Sequence, residues 1–171
     1  MDIRQEQPED HKAVFQLNSL AFQQDGEARL VEALRLNSEV FVPELSLVAL
    51  IDDKIVGHIL FTKIKIIDGA QQTACLALAP VAVNPDFQNQ GIGSQLIKNG
   101  LMKAKALGYT AVIVLGHEHY YPKFGFLPAS KYGVRCPFEV PDEVFMALEL
   151  VENGLKGVHG TVKYPKEFEA V

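Results

Sequence analysis

Residues 78–94, Leu-Ala-Pro-Val-Ala-Val-Asn-Pro-Asp-Phe-Gln-Asn-Gln-Gly-Ile-Gly-Ser, constrain the fold more than any other stretch of the chain. They read as a buried strand, a tight turn at Asn84-Pro85-Asp86, and a glycine-containing loop that opens a helix. The helix runs to Leu107 with apolar residues at 92, 96, 97, 101 and 104 on one face, and Gly108 is placed to cap it. Ala111 to Leu115 follows as a fully apolar, β-branched strand. A strand–helix–strand unit of this length requires a parallel pair joined by a crossover. At the helix start, unpaired N–H groups and a partial positive charge offer a site for phosphate oxygens. Gly91 and Gly93 carry no Cβ, so a ligand can approach the backbone closely.

The other elements are shorter and differently connected. Residues 2–6 suit a short strand, and Pro8-Glu9-Asp10 suits a helix start. Apolar positions 14, 17, 20 and 21, and then 30, 31, 34 and 36, predict two helices, the second ending near Asn37. Residues 47–51 and 55–67 predict strands around a turn at Asp52-Asp53-Lys54, and Asp68-Gly69 predicts a hairpin into the run 73–83. A short helix near 120–124 and a strand near 144–151 follow, while 152–171 shows little periodicity. The expected fold class is α+β (mixed α/β): a mostly antiparallel mixed sheet with one parallel crossover, flanked by helices, in a single domain spanning 1–171.

Charge and cysteine content narrow the partners. A formal net charge of −5 gives no electrostatic reason to bind nucleic acid or an anionic membrane. Cys75 and Cys136 are too few for a disulfide framework and lack metal-ligand spacing. No stretch reaches membrane-spanning length and the first six residues hold no apolar signal core, so a cytoplasmic location is expected.

Two nucleotide-binding motifs are excluded. Gly91-Ile92-Gly93 is not followed by Gly-Lys-Ser/Thr, as a P-loop would require. The dinucleotide fingerprint fails because its third glycine position is Leu96 and the region near Ile113 is apolar where an acid is needed. The pattern that fits is Gln-x-x-Gly-x-Gly at Gln88, Asn89, Gln90, Gly91, Ile92 and Gly93. It resembles the pyrophosphate-binding motif of the GNAT superfamily of acyl-CoA N-acyltransferases. The run 78–85 resembles that family's fourth strand and exit turn, and Tyr121-Pro122-Lys123-Phe124-Gly125-Phe126 resembles its Tyr-x-x-x-Gly-Phe segment. Within the superfamily, the strand Pro80-Val81-Ala82-Val83, the Tyr120–Phe126 run and the tail residues Val162-Lys163-Tyr164 look most like the bacterial YhbS-like group.

The resemblance implies acetyl-CoA as cosubstrate, with backbone groups of Val81, Ala82 and Val83 pairing with the pantetheine arm and Gln88 to Ser94 holding the pyrophosphate. Pro80 cannot donate to a ladder, which agrees with a strand splayed from its neighbour at that point. The expected reaction is transfer of the acetyl group to a primary amine by direct attack on the thioester. That chemistry needs a neutral amine, a stabilised oxyanion and a proton for the departing thiolate. Tyr121 matches the family's general acid; Tyr120 is the neighbouring alternative. A backbone N–H near Ala82 or Val83 is the expected oxyanion donor. The base is not legible: Glu27, Glu39 and Glu44 lie near the acceptor side, and His117 and His119 follow the fifth strand. A family asparagine near that place is absent here, which leaves its contact with the pantetheine arm open. No third ligand joins His117 and His119, so no metal is expected. Lys98, Lys103 and Lys105 read as a solvated helix face. The competing reading is an acyl-CoA-binding regulatory or sensing module with little catalytic activity. The acceptor remains open among metabolite amines, aminoglycosides, polyamines, peptide α-amines and lysine side chains, as does a homodimer.

Overall fold

The computed structural model describes residues 1–170. Its strands are β1 (Asp2–Gln5), β2 (Phe41–Ile51), β3 (Lys54–Asp68), β4 (Gln71–Val83), β5 (Ala111–Leu115), β6 (Leu127–Pro128), β7 (Val134–Arg135), β8 (Phe145–Glu149) and β9 (Gly160–Lys163). Its α-helices are α1 (His11–Phe22), α2 (Gly26–Arg35) and α3 (Ile92–Ala106). The sheet order is β1-β2-β3-β4-β5-β8-β6, with β9 pairing to β3 and β7 off this path. The pairing is mostly antiparallel, and β4 with β5 is the parallel pair that α3 connects. This is the expected α+β class. A short second parallel contact, β7 with β9, was not anticipated.

The chain forms two compact units, and β3 and β4 each pass from one to the other. The first unit comprises Met1–Thr62, Ala79–Lys103 and the segment from Lys166. Here Val14 of α1 and Leu30, Val31 and Leu34 of α2 pack against Val48 and Leu60. Side chains alternate along a strand, so Gly57 and Phe61 of β3 meet α3 instead. A Cβ at Gly57 would lie 2.9 Å from both Ile92 and Leu96, and one at Gly100 would collide with the Phe61 ring. The two glycines bring the α3 backbone close to β3, which fixes where the start of that helix is presented. The Asp52-Asp53 turn has positive φ at both residues (50° and 64°), the geometry of a tight hairpin with right-handed strand twist.

The same unit buries a polar network. Arg35 donates two hydrogen bonds to the Glu6 carboxylate, from Nε at 3.0 Å and from its terminal nitrogen at 2.9 Å. His58, with no exposed surface, lies 3.7 Å from that carboxylate and 3.0 Å from Ser46 Oγ. Asn18 donates from Nδ2 to Val14 O at 3.0 Å and faces His58 Nδ1 at 3.4 Å. This leaves Nδ1 as the acceptor and Nε2–H as the donor to Ser46, a neutral imidazole. Burial, and then the Arg35 charge, push its pKa down to about 3. An unfolded histidine takes up a proton below about pH 6.5, whereas the folded one does not. Its contribution is therefore complete above 6.5 and declines as pH falls towards 3. Between pH 6.5 and 5 the expected loss is about 2 kcal/mol. Thermal unfolding of the protein and of His58→Gln at pH 7.5 and 5.0 checks this; the variant's midpoint should depend less on pH.

The second unit comprises Lys63–Leu78 and Ala104–Pro165. Its core includes Ile64, Ile66, Cys75, Ala77, Ile113, Phe145, Ala147 and Val162. β5 pairs along its whole length with β8, from Ala111↔Glu149 to Leu115↔Phe145. Cys75 is a core residue with its thiol directed at Ala111 O, and burial pushes its pKa up to about 12.

Three sequence expectations need correction. The strand predicted at 47–51 begins earlier, at Phe41, so 41–46 is the first half of β2. Its register shifts between Phe41 and Ser46, around Pro43, so the proline sits in an irregular stretch where a missing N–H is tolerated. The region 152–171 is not featureless: it contains β9 and a 3-10 segment, Lys166–Ala170. The predicted helix at 120–124 is a 3-10 turn, Tyr121–Phe124. No helix among the described residues is long and apolar enough to cross a membrane.

Candidate functional site

Within the first unit, β4 ends at Val83 and the chain turns through a 3-10 segment, Pro85–Phe87. Asn84 fixes the turn by accepting the Asp86 N–H on its side-chain oxygen at 2.9 Å and the Phe87 N–H on its carbonyl at 2.8 Å. The Asn84 N–H donates to Val56 O of β3 at 2.8 Å. Backbone N–H groups alternate between the two edges of a strand. The Ala82 N–H therefore shares the β3 edge with that of Asn84, and those of Val81 and Val83 point to the opposite edge. The Gln88 side chain reaches the carbonyl of Val83 at 3.4 Å, so that end of the strand and the loop close on each other.

The loop then takes positive φ at Asn89 (62°) and Gly91 (82°). A Cβ at Gly91 would meet nothing within 4 Å. Packing therefore does not demand glycine at this position; the left-handed backbone does, and the space above it is open. Alternation of left-handed and ordinary backbone is the conformation that builds anion-binding nests. α3 follows directly with no acidic residue in its first turn, and Gln95 N–H already donates to Gly91 O at 3.0 Å. Gln88, Asn89, Gln90 and Gly91 are exposed, Gly93 and Ser94 half-buried, and Ile92 buried against Gly57. This local chemistry fits a polyphosphate.

In the second unit, β5 leads into Gly116, whose N–H donates to Val144 O at 2.9 Å. A Cβ at Gly116 would collide with the Tyr121 ring, so only glycine lets that ring lie across the strand exit. The carbonyl of His117 accepts the N–H groups of Tyr120 (3.1 Å) and Tyr121 (3.3 Å). Gly125, at φ 101°, ends the 3-10 turn with its N–H on Pro122 O. The Tyr121 ring packs edge-on against Tyr120 at 5.2 Å and Phe126 at 5.7 Å. Burial, with a smaller push from Tyr120, raises the Tyr121 pKa to about 12. Tyr120 is held differently: the Lys123 ammonium lies 4.4 Å from its ring centroid, and Phe124 packs edge-on at 5.3 Å. A cavity of about 550 Å³ in this unit is lined by Leu115, Gly116, His117, Glu118, His119, Tyr120 and Val144. Tyr120 thus lines the cavity wall, and Tyr121 is packed between Gly116 and Phe126.

The candidate bases are dispersed. The Glu27 carboxylate accepts from Gln24 Nε2 at 2.9 and 3.2 Å, at the start of α2. Glu39 is exposed in the turn after α2, and Glu44 lies on β2. His119 is largely exposed and 3.6 Å from Glu118. Among the described residues no group of three His, Cys, Asp or Glu is placed to hold a metal ion. Sequence reasoning missed the bed that Gly116 makes for Tyr121 and the Glu6–Arg35–His58 network. A glycine ending an apolar strand just before the tyrosines signals the first. His58, a polar residue inside the apolar run 55–61, signals the second.

Residues 11–126 match the Acetyltransferase (GNAT) family. The chain belongs to that family. It is an enzyme, an N-acetyltransferase whose cosubstrate is acetyl-CoA. It is 32% identical to the uncharacterized N-acetyltransferase YhbS of Escherichia coli K12 over 98% of both chains. It is 38% identical to the uncharacterized N-acetyltransferase YjhQ of the same strain, over 78% of this chain and 74% of that one. Among solved GNAT structures, E. coli YhbS in complex with CoA has a TM-score of 0.90 at 31% identity, covering 98% of this chain and 91% of that one. A GNAT acetyltransferase from Brucella melitensis in complex with acetyl-CoA has a TM-score of 0.77 at 30% identity, covering 98% and 97%.

Proposed function

We propose that this acetyltransferase moves the acetyl group of acetyl-CoA to a primary amine by direct attack of the amine on the thioester, with all 171 residues acting as one catalytic domain in the cytoplasm. The observation that carries the reading is the start of α3. An open loop with positive φ at residues 89 and 91 precedes a helix with no acid in its first turn, seated on β3 by two glycines. In this account the backbone of 88–94 binds the pyrophosphate, and helix-terminal N–H groups supply donors for its oxygens. Edge alternation selects Val81 and Val83, rather than Ala82, to pair with the pantetheine arm beyond Pro80. Val83 N–H then becomes the favoured donor to the carbonyl oxygen as it gains negative charge. Tyr121 gives a proton to the departing sulfur. Its raised pKa keeps the phenol protonated throughout the physiological range, and its packing holds the ring in one orientation.

Thiol release from acetyl-CoA across a panel of primary amines tests the reading. At least one amine should give turnover well above background hydrolysis, with the acetylated amine found by mass. Acetyl-CoA binding without turnover on any amine would instead mark a sensing module. The acceptor side is assigned to 22–36 and 37–44, where Asp25, Glu27, Glu39 and Glu44 give an acidic bias. Arg29, 3.9 Å from Asp25, offsets part of it. Attraction of a protonated amine by exposed carboxylates is screened by salt. The KM for the amine should therefore rise with ionic strength, and a preference for neutral amines without salt dependence would contradict this.

A further inference from the structure

Among the described residues, three buried side-chain oxygens lack a hydrogen-bond partner: Asn18 Oδ1, Ser19 Oγ and Glu167 Oε2. Only Glu167 bears a charge. A carboxylate oxygen shut away from water without a donor costs more than a neutral oxygen does, and a cation is the partner that relieves it. The other carboxylate oxygen of Glu167 accepts the Asn37 side-chain amide at 2.6 Å, which ties the 3-10 segment Lys166–Ala170 to the turn after α2. The next residue, Phe168, packs against the apolar cluster of Val14, Leu30, Val31, Leu34, Val48 and Leu60. Ala79 packs against the same cluster, and it directly precedes Pro80, the point beyond which the pantetheine arm is assigned. All of these residues belong to the first unit.

We propose that Glu167 receives the ammonium group of the acceptor amine, with Asn37 holding the carboxylate in place. It is then a positioning residue that selects cationic acceptors. This rests on the acetyl-transfer reading above and adds to it the group that recognises the substrate's charge. The chemistry is complementary: a carboxylate oxygen lacking a donor meets an ammonium group with three. Glu167 is half-buried on a short 3-10 segment between exposed Lys166 and Glu169, so the ammonium approaches from the solvent side of that segment. Attack on the thioester returns positive charge to the acceptor nitrogen, so the carboxylate stabilises the bound amine and the attack step alike and acts on KM rather than on the acyl-transfer step.

The direct test uses the ¹⁵N-labelled full chain saturated with CoA, titrated with n-butylammonium chloride and separately with n-butanol, which has a similar shape and no charge. The Asn37 side-chain amide resonances should shift saturably with the ammonium and not with the alcohol. Glu167→Gln should lose that response, while Glu169→Gln, an exposed carboxylate on the same segment, should keep it. Equal shifts with both ligands, no saturable shift, or an unaltered response in Glu167→Gln would each overturn the proposal. With an amine that supports thiol release, Glu167→Gln should raise the amine KM by about tenfold, the loss of one charge-assisted hydrogen bond, with kcat and the acetyl-CoA KM unchanged. A lowered unfolding midpoint with no change in amine KM would make Glu167 a structural tie only, and would also overturn it. If no amine supports turnover, the acetyl-transfer reading fails, and the titration still decides whether Glu167 binds an ammonium.

Discussion

Tyr121→Phe is expected to leave acetyl-CoA affinity unchanged and to slow acyl transfer by about 10²–10⁴-fold, the usual effect of removing a general acid. The ring makes its contacts with Tyr120 and Phe126 through its faces and edges, and Phe retains them. The substitution therefore removes only a hydroxyl group, and folding should be little affected. Pre-steady-state thiol release separates the chemical step from product release and is the measurement of choice. Tyr120→Phe serves as the comparison, because Tyr120 lines the neighbouring cavity whereas Tyr121 lies against Gly116. If Tyr120→Phe loses the activity and Tyr121→Phe keeps it, the acid is Tyr120. A pKa pushed up to about 12 also shapes the pH profile. Loss of the phenol proton would impose an alkaline fall only near that value. The rate should rise as the amine deprotonates and show no descending limb from Tyr121 below about pH 11.

Gly93→Val is expected to weaken acetyl-CoA binding by about 10- to 10³-fold while the protein stays folded. The estimate corresponds to losing one or two charge-assisted hydrogen bonds to the phosphates. Gly93 is the better site for this test. Gly91 has φ of 82°, so any side chain there strains the backbone itself, whereas Gly93 lies in the first turn of α3 without positive φ. A valine in a helix costs well under ~1 kcal/mol by propensity. Calorimetric titration of the folded variant checks the expectation, and an unchanged affinity would remove the pyrophosphate from this loop.

The parts of the fold legible in the sequence were those where one local signal dominates. The run 78–115 combines a buried strand, two glycines and a helical period, and it became β4, α3 and β5 with boundaries shifted by a residue or two. Asp68-Gly69 and Asp52-Asp53 specified their hairpins through the backbone conformations those residues tolerate. What was not legible depends on distant partners. β9 is four residues long and exists because Lys65, Ile66 and Ile67 pair with it, a contact between positions about a hundred residues apart with no periodic trace. The first half of β2 was hidden by Pro43, which reads as a strand breaker until its irregular register is seen. The same limit applies to candidate site residues. Gly91 and Tyr121 sit in motifs, whereas Glu167 acquires its surroundings only when Asn37, 130 positions earlier, comes to meet it.

The central claim is that the backbone at the start of α3 holds the pyrophosphate of acetyl-CoA. The most direct measurement compares backbone amide resonances of the ¹⁵N-labelled chain on addition of CoA and of pantetheine, which carries the arm and thiol without the pyrophosphate. The account predicts that amides of residues 88–94 shift strongly with CoA and hardly at all with pantetheine, while those of Val81 and Val83 respond to both. Residues 88–94 unmoved by CoA, or moved equally by pantetheine, would contradict it.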